Sequence, residues 1–87
     1  QDREAAFHGL LGDIERGERR FDRAIAAYDA AIARDDGYFA YYLGRGLARN
    51  ERGARTEARD DFDRSVALLP TAIAFQQLGR LAEADGN

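Results

Sequence analysis

The chain of 87 residues repeats part of itself at an offset of 34 residues. Gly12 recurs as Gly46, Ala24 as Ala58, and Tyr28 recurs as the aromatic Phe62. The remaining matched pairs are Asp29 and Asp63, Ala31 and Ser65, Ile32 and Val66, and Ala33 and Ala67. Internal repeats of this length indicate a stack of similar units, and such stacks commonly serve as binding surfaces.

The spacing of apolar residues predicts helices throughout the chain. Apolar side chains recur at intervals of three and four residues, and no segment alternates as a strand would. We expect five helices. The first covers about 4–17, the second begins at 21 and is ended by residues 35–37, and the others cover about 38–51, 55–69 and 72–84. Gly17, Gly37, Gly53 and Pro70 mark the breaks between them. The pattern therefore predicts an all-α fold of antiparallel helix-turn-helix pairs.

Composition narrows the class of protein further. A chain of this length forms one small domain, and the formal net charge of −3 argues against a general nucleic-acid binder. No apolar run is long enough to cross a bilayer, so we expect no membrane insertion. Cysteine is absent, which excludes thiolate catalysis and disulfides. Because the chain opens without Met and without an apolar leader, we expect a fragment of a longer protein.

The matched positions resemble those of the tetratricopeptide repeat (TPR) family. That family's 34-residue unit has a bulky residue, a Gly four positions later, then an Ala, an aromatic, a small residue and a Pro. The second unit of this chain matches at Tyr42, Gly46, Ala58, Phe62, Ser65 and Pro70. The first unit matches at His8, Gly12, Ala24, Tyr28 and Ala31, with Asp36 in place of Pro. A third unit begins with Phe75, Leu78, Gly79 and Gly86.

The resemblance implies an architecture and a binding surface. Residues 1–87 would form a single TPR-like domain, a short right-handed α-solenoid of five helices. Repeat one would span about 5–38, repeat two about 39–71, and the first helix of repeat three about 72–85. The first helix of each unit would line a concave groove that binds a peptide or partner protein. The implied groove residues are Asp13, Arg16, Tyr41, Leu43, Leu47, Asn50, Glu51, Gln76, Arg80 and Glu83.

Three departures from the family pattern carry predictions of their own. Arg45, Arg49 and Arg59 replace residues that are usually large and apolar. Gly17 comes two positions earlier than the repeat requires, which predicts a longer turn after the first helix. The third unit starts one residue early.

The side chains that could serve in catalysis or metal binding are better explained by structural roles. His8 occupies a position where the repeat places a bulky packing residue. Asp60, Asp61 and Asp63 diverge by about 100° per residue around the fourth helix, so we expect them on a solvated face, with ion pairs from Asp60 to Arg64 and from Arg59 to Asp63. The sequence therefore predicts no catalytic residues, no metal site and no cofactor.

Three functions remain open at this point. The first is a non-catalytic protein-interaction module that binds in the groove. The second is an accessory TPR segment of a larger bacterial enzyme, such as a zinc metallopeptidase. The third is self-association through the terminal helix, where Ile73, Phe75, Leu78 and Leu81 would form an exposed apolar stripe.

Overall fold

A computed structural model describes residues 2–86, and within them every regular element is an α-helix. The helices are α1 (Arg3–Gly17), α2 (Phe21–Arg34), α3 (Phe39–Glu51), α4 (Arg55–Leu68) and α5 (Ala72–Ala84). The predicted all-α class and the five helices are confirmed, with boundaries that differ by at most a few residues.

Neighbouring helices pack against one another in chain order. Contacts are most extensive within the pairs α1–α2 and α3–α4, the pairs are joined through α2–α3, and α5 adds to α4. Helix α1 also touches α3, which brings the first helices of the two units side by side. Because turns of only three or four residues join the helices, successive helices run antiparallel. The arrangement is that expected of a helical repeat stack.

The turn within each helix pair has the same backbone geometry at an offset of 34 residues. In both turns, the residue after the helix cap has a left-handed backbone: Arg19 at φ 62° and Gly53 at φ 91°. The amide of Arg20 donates to the Glu15 carbonyl, as the amide of Ala54 donates to that of Arg49. This is the Schellman arrangement that ends many helices. The predicted longer first turn is therefore wrong, because Arg19 adopts the backbone conformation that glycine provides in the second turn.

Aromatic rings that lie directly on glycines set the distance between the helices. A Cβ added to Gly12 would lie 2.6 Å from Cε1 of Tyr28, and one added to Gly46 would lie 2.7 Å from Cε1 of Phe62. The Tyr28 ring also covers Gly44 of the next unit, where an added Cβ would lie 2.4 Å from its Cζ. Only a residue without a side chain permits this approach, so the repeated glycines and rings are one packing device used twice.

The arginines that depart from the family pattern are paired with a buried carboxylate. Asp61 on α4 is only 3% exposed. Arg45 donates to it from Nε at 3.1 Å and from Nη2 at 2.8 Å, and Arg49 donates from Nη1 at 2.9 Å. Arg45 also donates from Nη1 to Asp29 of α2 at 2.7 Å. An ionic cluster thus takes the place of an apolar contact and links α2, α3 and α4.

The prediction that the aspartates of α4 lie on a solvated face is therefore wrong in two respects. Asp61 lies in the interior rather than in solvent, because two guanidinium groups compensate its charge. The predicted pairs Asp60–Arg64 and Arg59–Asp63 do not form among the described residues. Arg59 instead pairs with Asp85 at the end of α5, as does Arg55 at 2.6 Å.

The predicted apolar stripe on α5 is confirmed for two of its four residues and wrong for the other two. Leu81 is buried in the cluster around Ala58 and Phe62, and Leu78 packs half-buried against the same cluster. Only Ile73 and Phe75 expose large parts of their side chains. Much of the apolar face of α5 is therefore buried against α4.

Replacing Asp61 with alanine should destabilise the fold, since it would leave Arg45 and Arg49 without their shared anion. We expect the free energy of unfolding to fall by about 3 kcal/mol, near the lower end for a broken buried ion pair, because both guanidiniums keep some contact with water. Asp63→Ala, at an exposed position on the same helix, is the matched control and should change stability by less than about 0.5 kcal/mol. Equal losses in urea unfolding for the two variants would contradict this assignment.

Candidate groove site

The structure brings five of the ten predicted groove residues to one recess. The recess has a volume of about 410 Å³ and lies where the ends of α1 and α3 meet α5. Its lining comprises Arg16, Gly17, Arg19, Phe21, Leu47, Asn50, Glu51, Gln77 and Arg80. The predicted groove set omitted Gly17, Arg19, Phe21 and Gln77.

Helix α1 contributes Arg16, whose side chain is held by the core. The Nε of Arg16 donates to the Tyr28 hydroxyl at 3.1 Å, and that hydroxyl donates to Asp13 at 2.6 Å. The same Tyr28 ring covers Gly12 and Gly44. The ring that spaces the helices therefore also fixes the orientation of a guanidinium at the edge of the recess.

The environment of Tyr28 strongly favours its neutral form. Burial raises the pKa of the phenol to about 12; the hydrogen bond from Arg16 opposes this rise, and the bond to Asp13 adds to it. The same contacts act on the guanidinium: burial lowers the pKa of Arg16, but Tyr28 and Asp13 outweigh that effect and raise it overall. At neutral pH Arg16 is thus a cation in a fixed orientation, and Asp13, 3.6 Å from its Nη2, offsets that charge within the network.

Helix α3 provides both apolar and polar parts of the lining. Leu47 packs half-buried on the Phe62 cluster, so one side of it belongs to the core and the other to the recess. Asn50 is half-buried, and Glu51 is exposed and lies 3.6 Å from the guanidinium of Arg19. Arg19 also stacks over the Phe21 ring, with its Cζ 5.2 Å from the ring centroid.

Helix α5 closes the recess with Arg80 and Gln77. These two residues are three positions apart, so they share one face of the helix. Arg80 is exposed and makes no ion pair with any residue in the range 2–86. Spacing from Arg80 does not separate Gln77 from Gln76, since residues three and four positions apart both share one face of a helix. Of the other groove residues predicted on α5, Gln76 and Glu83 are exposed but do not line the recess.

Two of the predicted groove residues lie at a smaller, separate recess. Asp13 and Tyr41 line a space of about 190 Å³ together with Ala6, Gly9, Leu10, Tyr38 and Ala40. Tyr41 is only 4% exposed and packs with Ala5 and Ala31, so most of its ring belongs to the helix interface. Leu43 is half-buried against the Phe62 cluster. Asp13 is the charged side chain that lines the smaller recess.

His8 lies in an aromatic contact on α1. The His8 ring is half-buried and meets the Phe7 ring edge-on, with ring centroids 5.4 Å apart. Among residues 2–86, no group of three or more histidine, cysteine or acidic side chains is placed to hold a metal ion.

No family model matches this chain, and no curated protein is significantly similar to it. In the range that the structure covers, every helix is too short or too polar to cross a membrane.

The raised pKa of Tyr28 predicts a loss of stability at alkaline pH. Since the folded state keeps the phenol protonated to about pH 12 while the unfolded chain ionises near pH 10, stability should be constant below pH 10 and fall between pH 10 and 12. We expect this loss to reach up to about 2 kcal/mol. In Tyr28→Phe it should be absent.

Urea unfolding measured at intervals from pH 8 to pH 11.5 would check this prediction. Tyr38→Phe is the matched control, because Tyr38 is 37% exposed and should keep the wild-type pH profile. A Tyr28→Phe profile as steep as that of the wild type would show that another group causes the alkaline loss.

Proposed function

We propose that this protein is a non-catalytic interaction module of the TPR type, which binds a peptide or a partner protein in the groove formed by α1, α3 and α5. The observation that carries the proposal is the convergence of Arg16, Leu47, Asn50, Glu51 and Arg80 on one recess. These residues come from three helices, and all five are groove positions that the resemblance to the TPR family implies.

The positions at which the two units differ also support the proposal. The glycines and rings that set the helix spacing agree at the 34-residue offset, whereas Asp13 corresponds to Leu47, Arg16 to Asn50, and Gly17 to Glu51. Five of these six differing residues line the recess, and Asp13 lines the smaller one. Variation at the surface over a constant interior is expected if the interior builds a scaffold and the surface selects a partner.

The lining indicates how a bound chain would be held. Leu47 offers a small apolar surface, and Asn50, Gln77 and Arg80 surround it with hydrogen-bond donors. A ligand with an apolar anchor flanked by polar groups would satisfy both parts. Arg16 is already oriented by Tyr28, so binding would cost little ordering of that side chain.

A peptide selected from a random display library against this chain provides a defined probe. We expect Asn50→Ala and Arg80→Ala each to weaken its binding about tenfold or more in calorimetry, as for central contacts in an interface. Arg64→Ala is the matched control, since Arg64 is exposed on α4 and outside the recess. Circular dichroism should show the same helicity for all three variants.

The proposal would be overturned if selected peptides bound both groove variants as tightly as the wild type. Tyr41 is unsuitable as a probe of binding in this experiment, because its substitution would disturb the interface between the first two units.

A further inference from the structure

Helix α1 exposes a long apolar stripe on the side that faces away from the stack. Phe7 is 63% exposed, Leu10 60%, Leu11 37% and Ile14 50%. At 100° per residue, these four side chains fall within about a third of the helix circumference. The buried residues of the same helix, Ala5, Gly9 and Gly12, lie on the opposite side.

The second unit shows that this side of the helix is one on which another helix packs. The positions 34 residues further along include Tyr41, Gly44 and Ala48, and all three are buried against α2. For α1, no helix in the range 2–86 covers the equivalent side. In a second copy of the chain, the outer side of α2 is covered by α3 and that of α4 by α5, so neither α2 nor α4 is free to pack on α1.

In a second copy, α1 is exposed in the same way. The apolar stripes of two α1 helices are complementary when the helices run antiparallel. If two α1 helices pack antiparallel about a two-fold axis between Leu10 and Leu11, Phe7 of one copy lies opposite Ile14 of the other. In the same register, Arg3 lies opposite Glu18, so opposite charges meet at both ends of the apolar seam, where Glu18 also pairs with Arg20 of its own chain. Arg3 is exposed and has no ion-pair partner among the described residues of its own chain.

We infer that the chain forms a symmetric homodimer through antiparallel packing of its two α1 helices. The apolar seam supplies the attraction, and the two Arg3–Glu18 pairs fix the direction and register. Arg16 lies on the other side of α1, so the groove recess of each copy stays open in the dimer, whereas Leu10 also lines the smaller recess. The inference is independent of the proposed function and places the self-association surface on α1 rather than on the terminal helix.

Sedimentation equilibrium over a range of concentrations tests the dimer. We expect the wild type to approach twice the chain mass, and Leu10→Glu to weaken dimerisation at least about tenfold, because it places two charges at the centre of an apolar seam. Phe75→Glu is the matched control: Phe75 is 55% exposed, but it lies on α5 and should leave the dimer unchanged.

A charge exchange tests the register and separates it from unspecific apolar adhesion. Arg3→Glu alone and Glu18→Arg alone should each weaken dimerisation about fivefold, since each places like charges together at both ends. The double variant Arg3→Glu/Glu18→Arg should restore most of the affinity. Circular dichroism should report an unchanged fold throughout.

A monomeric mass at all concentrations would overturn the inference. A dimer that Phe75→Glu disrupts and Leu10→Glu does not would place the interface on α5 and would equally overturn it. A dimer that Leu10→Glu disrupts but that the double charge variant fails to restore would contradict the antiparallel register.

Discussion

The fold depends on the close contact between an aromatic ring and a glycine on the facing helix. Tyr28 lies between Gly12 and Gly44, and Phe62 lies on Gly46. Each contact requires a ring on one helix and the absence of a side chain on the other. Because much of the remaining core is alanine, these rings provide a large share of the buried apolar volume. Helix spacing, the order of the stack and the position of the recess all follow from them.

The Tyr28 contact also links the interior to the candidate groove. Its ring belongs to the core, whereas its hydroxyl binds Arg16 and Asp13, which reach the surface on the groove side. A second polar device acts on the other side of the stack, where Asp61 holds Arg45 and Arg49. Buried ion pairs add little stability compared with apolar packing, but they are costly to break and therefore favour one arrangement of the helices.

Features that recur along the chain could be predicted from the sequence. Features that depend on pairing between positions distant in the sequence could not. Gly12 and Gly46 and the rings of Tyr28 and Phe62 recur at a fixed offset, and apolar residues recur every three or four positions, so the five helices and their order were accessible. Asp61 looked like a surface residue because its own helix carries two other aspartates. Its partners lie 12 and 16 residues away, and only the packed structure brings them together. Arg19 was similarly hidden, since nothing in the sequence marks an arginine with a left-handed backbone.

The candidate site was predicted in outline. Several residues at the predicted groove positions of α1 and α3 line the recess, among them Arg16 and Asn50. Tyr41 did not remain a surface group, because the large ring at this position fills the contact between α2 and α3. On α5 the prediction applied a one-residue shift, which makes Gln76 the counterpart of Leu43, but the residue at the recess is Gln77, which lies 34 positions after Leu43.

A double-mutant cycle between Gly46→Ala and Phe62→Leu tests most directly whether ring-on-glycine contacts set the helix spacing. We expect Gly46→Ala to lower the free energy of unfolding by about 2 kcal/mol through overpacking, and the smaller leucine side chain in place of the Phe62 ring to relieve it. The double variant should therefore lose at least about 1 kcal/mol less than the sum of the single losses. Gly79→Ala, where an added Cβ meets nothing within 4 Å, should instead raise stability by about 1 kcal/mol. Strictly additive losses for Gly46→Ala and Phe62→Leu would contradict the account.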